Sequence, residues 1–184
     1  MVALNVVIAV FGYGLISMFL VALFHEAGHI LAGSLFRLKP KSIGFGTPYK
    51  LGIATFYLPM GGLTDLDIER IPRFGRVVVV LGGPAVSAII GTALWMWAGH
   101  FSNMWGLRFW AFFSIADVVL QLMIWPIPKW PTSDGIYVWK NITRQPPEQA
   151  GSPPWRPSLA GSVVWDIALL ALFCVLIHIG LGSA

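Results

Sequence analysis

Two histidines and a glutamate lie close together in an apolar segment near the start of the chain, as His25-Glu26-Ala27-Gly28-His29. Residues four apart share one face of an α-helix, so both imidazoles can bind one zinc ion while Glu26 acts as general base on a water molecule. Polar groups in an apolar helix can also simply pair at a helix interface. Burying these three costs several kcal/mol unless something coordinates them, so the spacing favours a hydrolytic zinc site.

A hydrolytic zinc site takes a third protein ligand and keeps one position open for water. Asp134 is the best candidate, because it follows a proline-rich run that should break a helix at the depth of His25. Gly135, directly after it, permits a close backbone approach. Asp65 and Asp67, between the first two apolar stretches, are the alternatives.

Other histidines and acids are predicted to lie on the opposite side of the membrane. His100 falls in the connection on the outer side, and His178 near the outer end of the fourth stretch. Asp117 precedes Asp134 by 17 residues, which is about 25 Å along a helix. We therefore expect Asp117 nearer the outer face, where it would hydrogen-bond between helices and take no part in the zinc site.

The elements that must position these residues are apolar helices. The chain has 57% apolar and only 11% charged residues, whereas a water-soluble domain carries about 25% charged residues. A bilayer core requires roughly 20 apolar residues in a helix, and four stretches meet this length: 2–36, 77–98, 109–127 and 161–180. We predict an all-α polytopic membrane protein with about four transmembrane helices, forming a single domain over 1–184 with a proline-rich linker at 145–157.

The distribution of cations predicts the orientation. The net charge of +4 is not a sign of nucleic-acid binding, because eleven of the twelve Lys and Arg residues lie in the segments joining spans one to two and three to four. Such segments face the cytoplasm. We therefore expect a multi-pass protein embedded in the lipid bilayer of a bacterial or archaeal cell membrane, with both termini outside.

The segment from Ser42 to Gly62 differs from the apolar stretches. It has glycines at 44, 46 and 52, an alternating run from Lys50 to Tyr57, and then Pro59-Met60-Gly61-Gly62. These features predict a short β-hairpin, or a loop with strand character, packed against the inner leaflet after the first helix.

Four motifs occur in a fixed order along the chain, and this combination is more specific for a protein family than any single motif. The His-Glu-Ala-Gly-His pattern comes first, then the Pro-Met-Gly-Gly loop, then Gly82-Gly83-Pro84, and then a Pro-Ile-Pro run that leads to Ser133-Asp134-Gly135. Over roughly residues 10 to 140 the chain resembles the site-2 protease family of intramembrane zinc metalloproteases. We expect a minimal form, without an appended peptide-binding or nucleotide-sensing domain.

The resemblance implies a function and a set of site residues. His25, His29 and Asp134 would be the ligands of Zn2+, and Glu26 the catalytic base. Pro59, Met60, Gly61 and Gly62 would help to receive the substrate. That substrate would be the transmembrane segment of a single-pass membrane protein, or a remnant signal peptide, cut near the cytoplasmic face.

Two departures from the family pattern leave a second function open. Ser87 stands where the family commonly has an asparagine after the Gly-Pro pair, and Met123 where it commonly has an asparagine ahead of the third ligand. An amide at such a position would hold substrate or stabilise the oxyanion. The alternative is therefore a catalytically silent relative that serves as a subunit or assembly factor in a larger membrane complex.

Overall fold

The structure is a computed structural model that describes residues 2–51, 54–100, 104–123, 133–144, 161 and 163–168. Its elements follow in chain order as helix α1 (Val2–Leu35), strands β1 (Ser42–Leu51) and β2 (Ala54–Asp65), a 3-10 helix (Ile68–Arg70), and helices α2 (Arg73–Gly99), α3 (Trp105–Leu122) and α4 (Asp134–Ile142). The chain divides into two compact units, Met1–Val118 and Val119–Ala184. Each unit is described separately below.

Two helices of the first unit are long and apolar. In the part of the chain that the structure describes, Phe11–Leu35 of α1 and Arg73–Gly99 of α2 could cross a membrane by length and composition. Glu26 is the only charged residue of α1, so this helix has no polar face to turn towards water. A helix that is apolar all round is typical of a membrane span or of a buried core.

Glycines allow α2 to pack closely against its neighbours. A side-chain carbon on Gly82 would lie 2.5 Å from the carbonyl oxygen of Gly28 and 2.7 Å from the Cβ of Ala32, both in α1. A side-chain carbon on Gly91 would meet Ile115 of α3 at 2.9 Å. These contacts bring the backbones of α1 and α2 together one residue before His29, as small residues do between membrane helices.

β1 and β2 form an antiparallel two-stranded sheet whose second strand packs against α1. This confirms the predicted hairpin and extends it to Asp65. The register shifts in the middle, because Phe45 lies opposite Gly62 while Thr47 lies opposite Leu58. β2 therefore carries Pro59–Gly61 where β1 has only residue 46, and an excess of residues on one strand is a bulge.

In the second unit, two side chains donate hydrogen bonds to the backbone carbonyl groups at the end of α3. The Trp165 indole donates to the Leu122 carbonyl at 2.8 Å, and the Ser133 hydroxyl donates to the Met123 carbonyl at 2.6 Å. Such bonds replace the intrahelical donors that the last turn of a helix lacks. They account for the end of α3 at Leu122, five residues before the predicted end of the third span.

The described residues confirm a mostly helical protein but not four transmembrane helices. The first two predicted spans correspond to α1 and α2. α3 is 18 residues long, includes Arg108 and Asp117, and is not one of the two candidate spans. Of the fourth predicted span, residues 161 and 163–168 are helical, whereas 169–180 and the linker at 145–157 lie outside the described residues. The single domain stays a prediction.

Candidate metal centre

His25 and His29 turn the same ring nitrogen towards each other. They lie one turn apart on α1, and their Nε2 atoms are 3.1 Å apart. The ring centroids are 4.8 Å apart, with the rings close to perpendicular. His25 is only 3% exposed. The predicted sharing of one helical face is therefore confirmed, and the two Nε2 atoms converge on one point.

Hydrogen bonds on the far side of each ring fix which nitrogen carries the proton. His29 Nδ1 lies 2.9 Å from the Val79 carbonyl oxygen, which can only accept, so Nδ1 donates. His25 Nδ1 lies 2.7 Å from Oδ2 of Asp117, and an ionised carboxylate likewise only accepts. A neutral ring with its proton on Nδ1 presents a lone pair at Nε2, which is the form in which histidine binds a metal.

The convergence of these lone pairs fits a zinc ion. If neither Nε2 carries a proton, two lone pairs 3.1 Å apart would repel each other, and a cation held between them would remove that repulsion. In a tetrahedral site with Zn–N bonds of about 2.0–2.1 Å, two nitrogen ligands lie roughly 3.3–3.4 Å apart. The observed separation is close to that value. The geometry of the histidine pair therefore fits that of two ligands of one metal ion.

Gly83 of α2 lines the same point. A side-chain carbon there would lie 2.5 Å from the Nε2 of His29 and 2.6 Å from the Nε2 of His25. Any residue larger than glycine would therefore occupy the space in front of both lone pairs. The Gly82-Gly83 pair thus has two separate tasks, since Gly82 allows the helices to approach and Gly83 leaves room for an ion.

Asp117 and Ser87 belong to this centre, which the sequence did not predict. Oδ2 of Asp117, in α3, accepts from His25 Nδ1 and from the Ser87 hydroxyl, each at 2.7 Å. Ser87, in α2, is 2% exposed. The expectation that Asp117 lies away from the histidines is wrong, whereas the expected hydrogen bonds from Asp117 to other helices are confirmed. A usable signal was present, because an acid within an apolar segment needs a polar partner.

Glu26 has the burial expected of a base in an enclosed site. It follows His25 directly in α1 and is 4% exposed. Within the described residues no group donates a hydrogen bond or forms an ion pair with its carboxylate. A buried carboxylate is costly unless it is compensated, so Glu26 is an ionisable group beside the two histidines without a structural partner in that part of the chain.

Asp134 is the first residue of α4, in the second unit. The positive end of the helix dipole favours a carboxylate in this first turn. Gly135 contacts the Leu122 carbonyl so closely that a side chain would collide with it, which confirms that glycine here permits a close backbone approach. The role of Asp134 as third metal ligand stays a prediction.

The alternative ligands, Asp65 and Asp67, have other surroundings. Asp65 is exposed at the end of β2. Oδ2 of Asp67 accepts from Arg70 at 2.7 Å and lies 3.5 Å from the Lys41 ammonium. Because Lys41 and Arg70 already neutralise the charge of Asp67, a metal ion would stabilise this carboxylate less than one without such partners.

The four residues predicted to receive the substrate, Pro59 to Gly62, lie in β2 at the register shift. Their side chains lie outside the described residues. Since the described sheet has two strands, each strand keeps one edge that is not paired within the sheet. Bulges of this kind are common beside active sites, where they redirect a strand.

One comparison with known proteins found a family match. A sequence model of Peptidase family M50 matches residues 13–178, which is nearly the whole chain and includes both histidines, Glu26 and Asp134. No curated protein matches the chain.

Proposed function

The chain belongs to Peptidase family M50, the site-2 protease family, and from this premise we propose that it is a zinc protease that cuts its substrates within the membrane. Membership supports a membrane metalloprotease in general. The observation that carries the finer proposal is the convergence of His25 Nε2 and His29 Nε2 at 3.1 Å, with each Nδ1 held by an acceptor.

In this proposal His25, His29 and Asp134 hold Zn2+. Two neutral imidazoles and one carboxylate form a donor set typical of catalytic zinc sites, which keep one position open. Zinc in such a site acts as a Lewis acid and lowers the pKa of water to near 7. Gly83 keeps the space in front of the two imidazoles clear of side-chain atoms.

Glu26 performs the proton transfers. Its carboxylate takes a proton from the attacking water as the oxygen bonds to the peptide carbonyl carbon. It then gives that proton to the nitrogen as the C–N bond breaks, so that the products are a carboxylic acid and an amine. The proton of the acid then passes to the amine, which leaves a carboxylate and an ammonium group. Burial suits this task, because a general base is most effective where bulk water does not compete for its proton.

The proposed substrate is the transmembrane segment of a single-pass membrane protein or a remnant signal peptide, cut near the cytoplasmic face. A helical segment hides its peptide bonds and must unwind before water can attack them. An open strand edge of the hairpin, at the register shift where Pro59 to Gly62 lie, can pair with the unwound segment through backbone hydrogen bonds. Such pairing would hold the peptide extended regardless of its side chains.

We also propose that the protein is a multi-pass membrane protein with both termini outside the cell. A catalytically silent subunit of a larger complex is the less favoured function, because the family match is to a peptidase and the chain retains Glu26, the proposed base, buried beside His25. No contact in the described residues favours the silent form.

The test compares membrane peptides and protein N-termini in cells that carry the native chain, Glu26→Gln or Glu69→Gln at equal abundance. Glu69 is exposed and pairs with Arg76, so its variant controls for the change of acid to amide. Removing a general base slows a reaction by about 10²–10⁴-fold. We expect one or a few transmembrane proteins to accumulate uncut with Glu26→Gln only. Identical profiles in all three cell lines, under several stresses, would contradict the proposal.

A further inference from the structure

One oxygen atom of Asp117, a residue of α3, connects that helix to α1 and α2. Oδ2 accepts from His25 Nδ1 of α1 and from the Ser87 hydroxyl of α2, each at 2.7 Å, while Asp117 itself belongs to α3. We propose that Asp117 is a positioning residue that holds His25 in the tautomer and orientation needed for metal binding, and that Ser87 holds Asp117 in place. This inference rests on the metal site of the proposed function.

The direction of the hydrogen bond supports a role in the metal site. Asp117 contacts the nitrogen of His25 that faces away from His29, so its carboxylate does not compete for the point where the two Nε2 atoms meet. An acceptor on Nδ1 keeps the proton there and leaves the Nε2 lone pair exposed. Without it, either nitrogen of the ring can carry the proton, and a ring protonated on Nε2 cannot bind a metal through that atom.

His29 provides an internal comparison, because its acceptor is neutral. The Val79 carbonyl fixes the tautomer of His29 with a partial charge, whereas Asp117 offers His25 a full negative charge. A carboxylate partner raises the basicity of the ring and so strengthens its bond to a cation. The side chain of Asp117 is 15% exposed, so water screens this charge little.

Ser87 has a subordinate role. Its hydroxyl donates to the same oxygen that accepts from His25, and Ser87 Oγ lies 3.5 Å from His25 Nδ1. Donating to the carboxylate leaves the hydroxyl unable to donate to the ring as well. Ser87 therefore fixes the carboxylate rotamer, and its removal should disturb His25 less than the removal of Asp117.

The experiment uses the full chain in detergent micelles with ¹⁵N-labelled histidine, at one pH, compared as the native protein, Asp117→Ala, Ser87→Ala and Ser114→Ala. Ser114 lies one turn before Asp117 in α3 and is 1% exposed, so its variant controls for a change of packing in the same helix. The ¹⁵N shifts of the His25 ring in the metal-free protein report its tautomer. A titration with Zn2+ then gives the affinity.

We expect Asp117→Ala to replace the single Nδ1–H signal of His25 by that of a mixture or of the other tautomer, and to lower zinc affinity about 10–100-fold. Ser87→Ala should lower it by a smaller factor, and Ser114→Ala should match the native protein. Should Asp117→Ala not fold, Asp117→Asn keeps the size and an acceptor oxygen, and zinc affinity should still fall because the charge is lost.

A native tautomer and native zinc affinity in the folded Asp117 variant would overturn the proposal, even if the melting temperature fell. Failure of the proposed function looks different. In that case the native chain itself would bind no zinc, while the tautomer of His25 would still respond to Asp117.

Discussion

Two groups of charged or polar side chains in the first unit differ in surroundings. The histidine cluster is largely buried and lies between α1, α2 and α3; it consists of His25, His29, Ser87 and Asp117. The ion-pair cluster lies around the 3-10 helix, where side chains are more exposed; it consists of Lys41, Asp67, Glu69, Arg70 and Arg76. In the histidine cluster one carboxylate faces an imidazole and a hydroxyl, whereas in the ion-pair cluster opposite charges balance each other.

The difference shows that a contribution to folding stability is enough to explain the ion-pair cluster but not the histidine cluster. Exposed ion pairs form easily and typically contribute about 0.2–1 kcal/mol each, so the ion-pair cluster needs no further explanation. Burial of polar groups among apolar helices is costly, and α1 and α2 would pack more favourably with apolar residues in these positions. The histidine cluster is therefore better explained by the ion that its ring nitrogens are arranged to hold.

The largest effect should come from filling the space between the ligands with Gly83→Ala. The added carbon would lie about where the ion belongs, 2.5–2.6 Å from both Nε2 atoms, so zinc binding and cleavage should both be lost. Gly99→Ala is the matched control in α2, because no atom lies within 4 Å of its added carbon. Zinc titration of both variants measures the effect. Native affinity in Gly83→Ala would show that the ion does not lie in front of this glycine.

A smaller effect is expected where α1 and α2 touch without contacting the ion. Gly28→Ala would place a carbon against the Gly82 carbonyl, and overpacking of this kind costs about 1–3 kcal/mol. Gly12→Ala, in the same helix but in open space, should be neutral or slightly stabilising because alanine favours helix. Unfolding in detergent measures both. Equal stability would mean that the helices are not in contact at Gly28.

The smallest effect should follow from breaking the ion-pair cluster with Arg70→Ala. Arg70 is 77% exposed, and its bond to Asp67 is a surface pair, so unfolding free energy should fall by less than about 1 kcal/mol. Zinc affinity should not change. If Arg70→Ala lost zinc binding, the ion-pair cluster would also affect the metal site, and Asp67 would again be a candidate ligand.

Local features of the histidine site could be predicted from sequence. The four-residue spacing of His25 and His29 fixes their common face on any α-helix, and the structure confirms it. The hairpin could also be predicted, since alternation and glycines are local signals. Both depend on neighbours in sequence.

The place of Asp117 could not be predicted in the same way. Its distance from Asp134 was taken along one continuous helix, but α3 ends at Leu122 and α4 begins at Asp134, so residue count does not measure depth there. The bonds that end α3 come from Ser133 and Trp165, distant in sequence. The contact of Asp117 with His25 likewise joins residues 92 positions apart, and no local pattern encodes it.

The most direct test of the central claim is the zinc content of the purified full-length chain. We compare the native protein with His29→Ala and with His100→Ala, a histidine at the end of α2 outside the cluster. The account predicts about one zinc ion per chain in the native protein and in His100→Ala, and nearly none in His29→Ala. Equal zinc content in all three, or no zinc in the native chain under conditions where a known zinc protein keeps its metal, would contradict it.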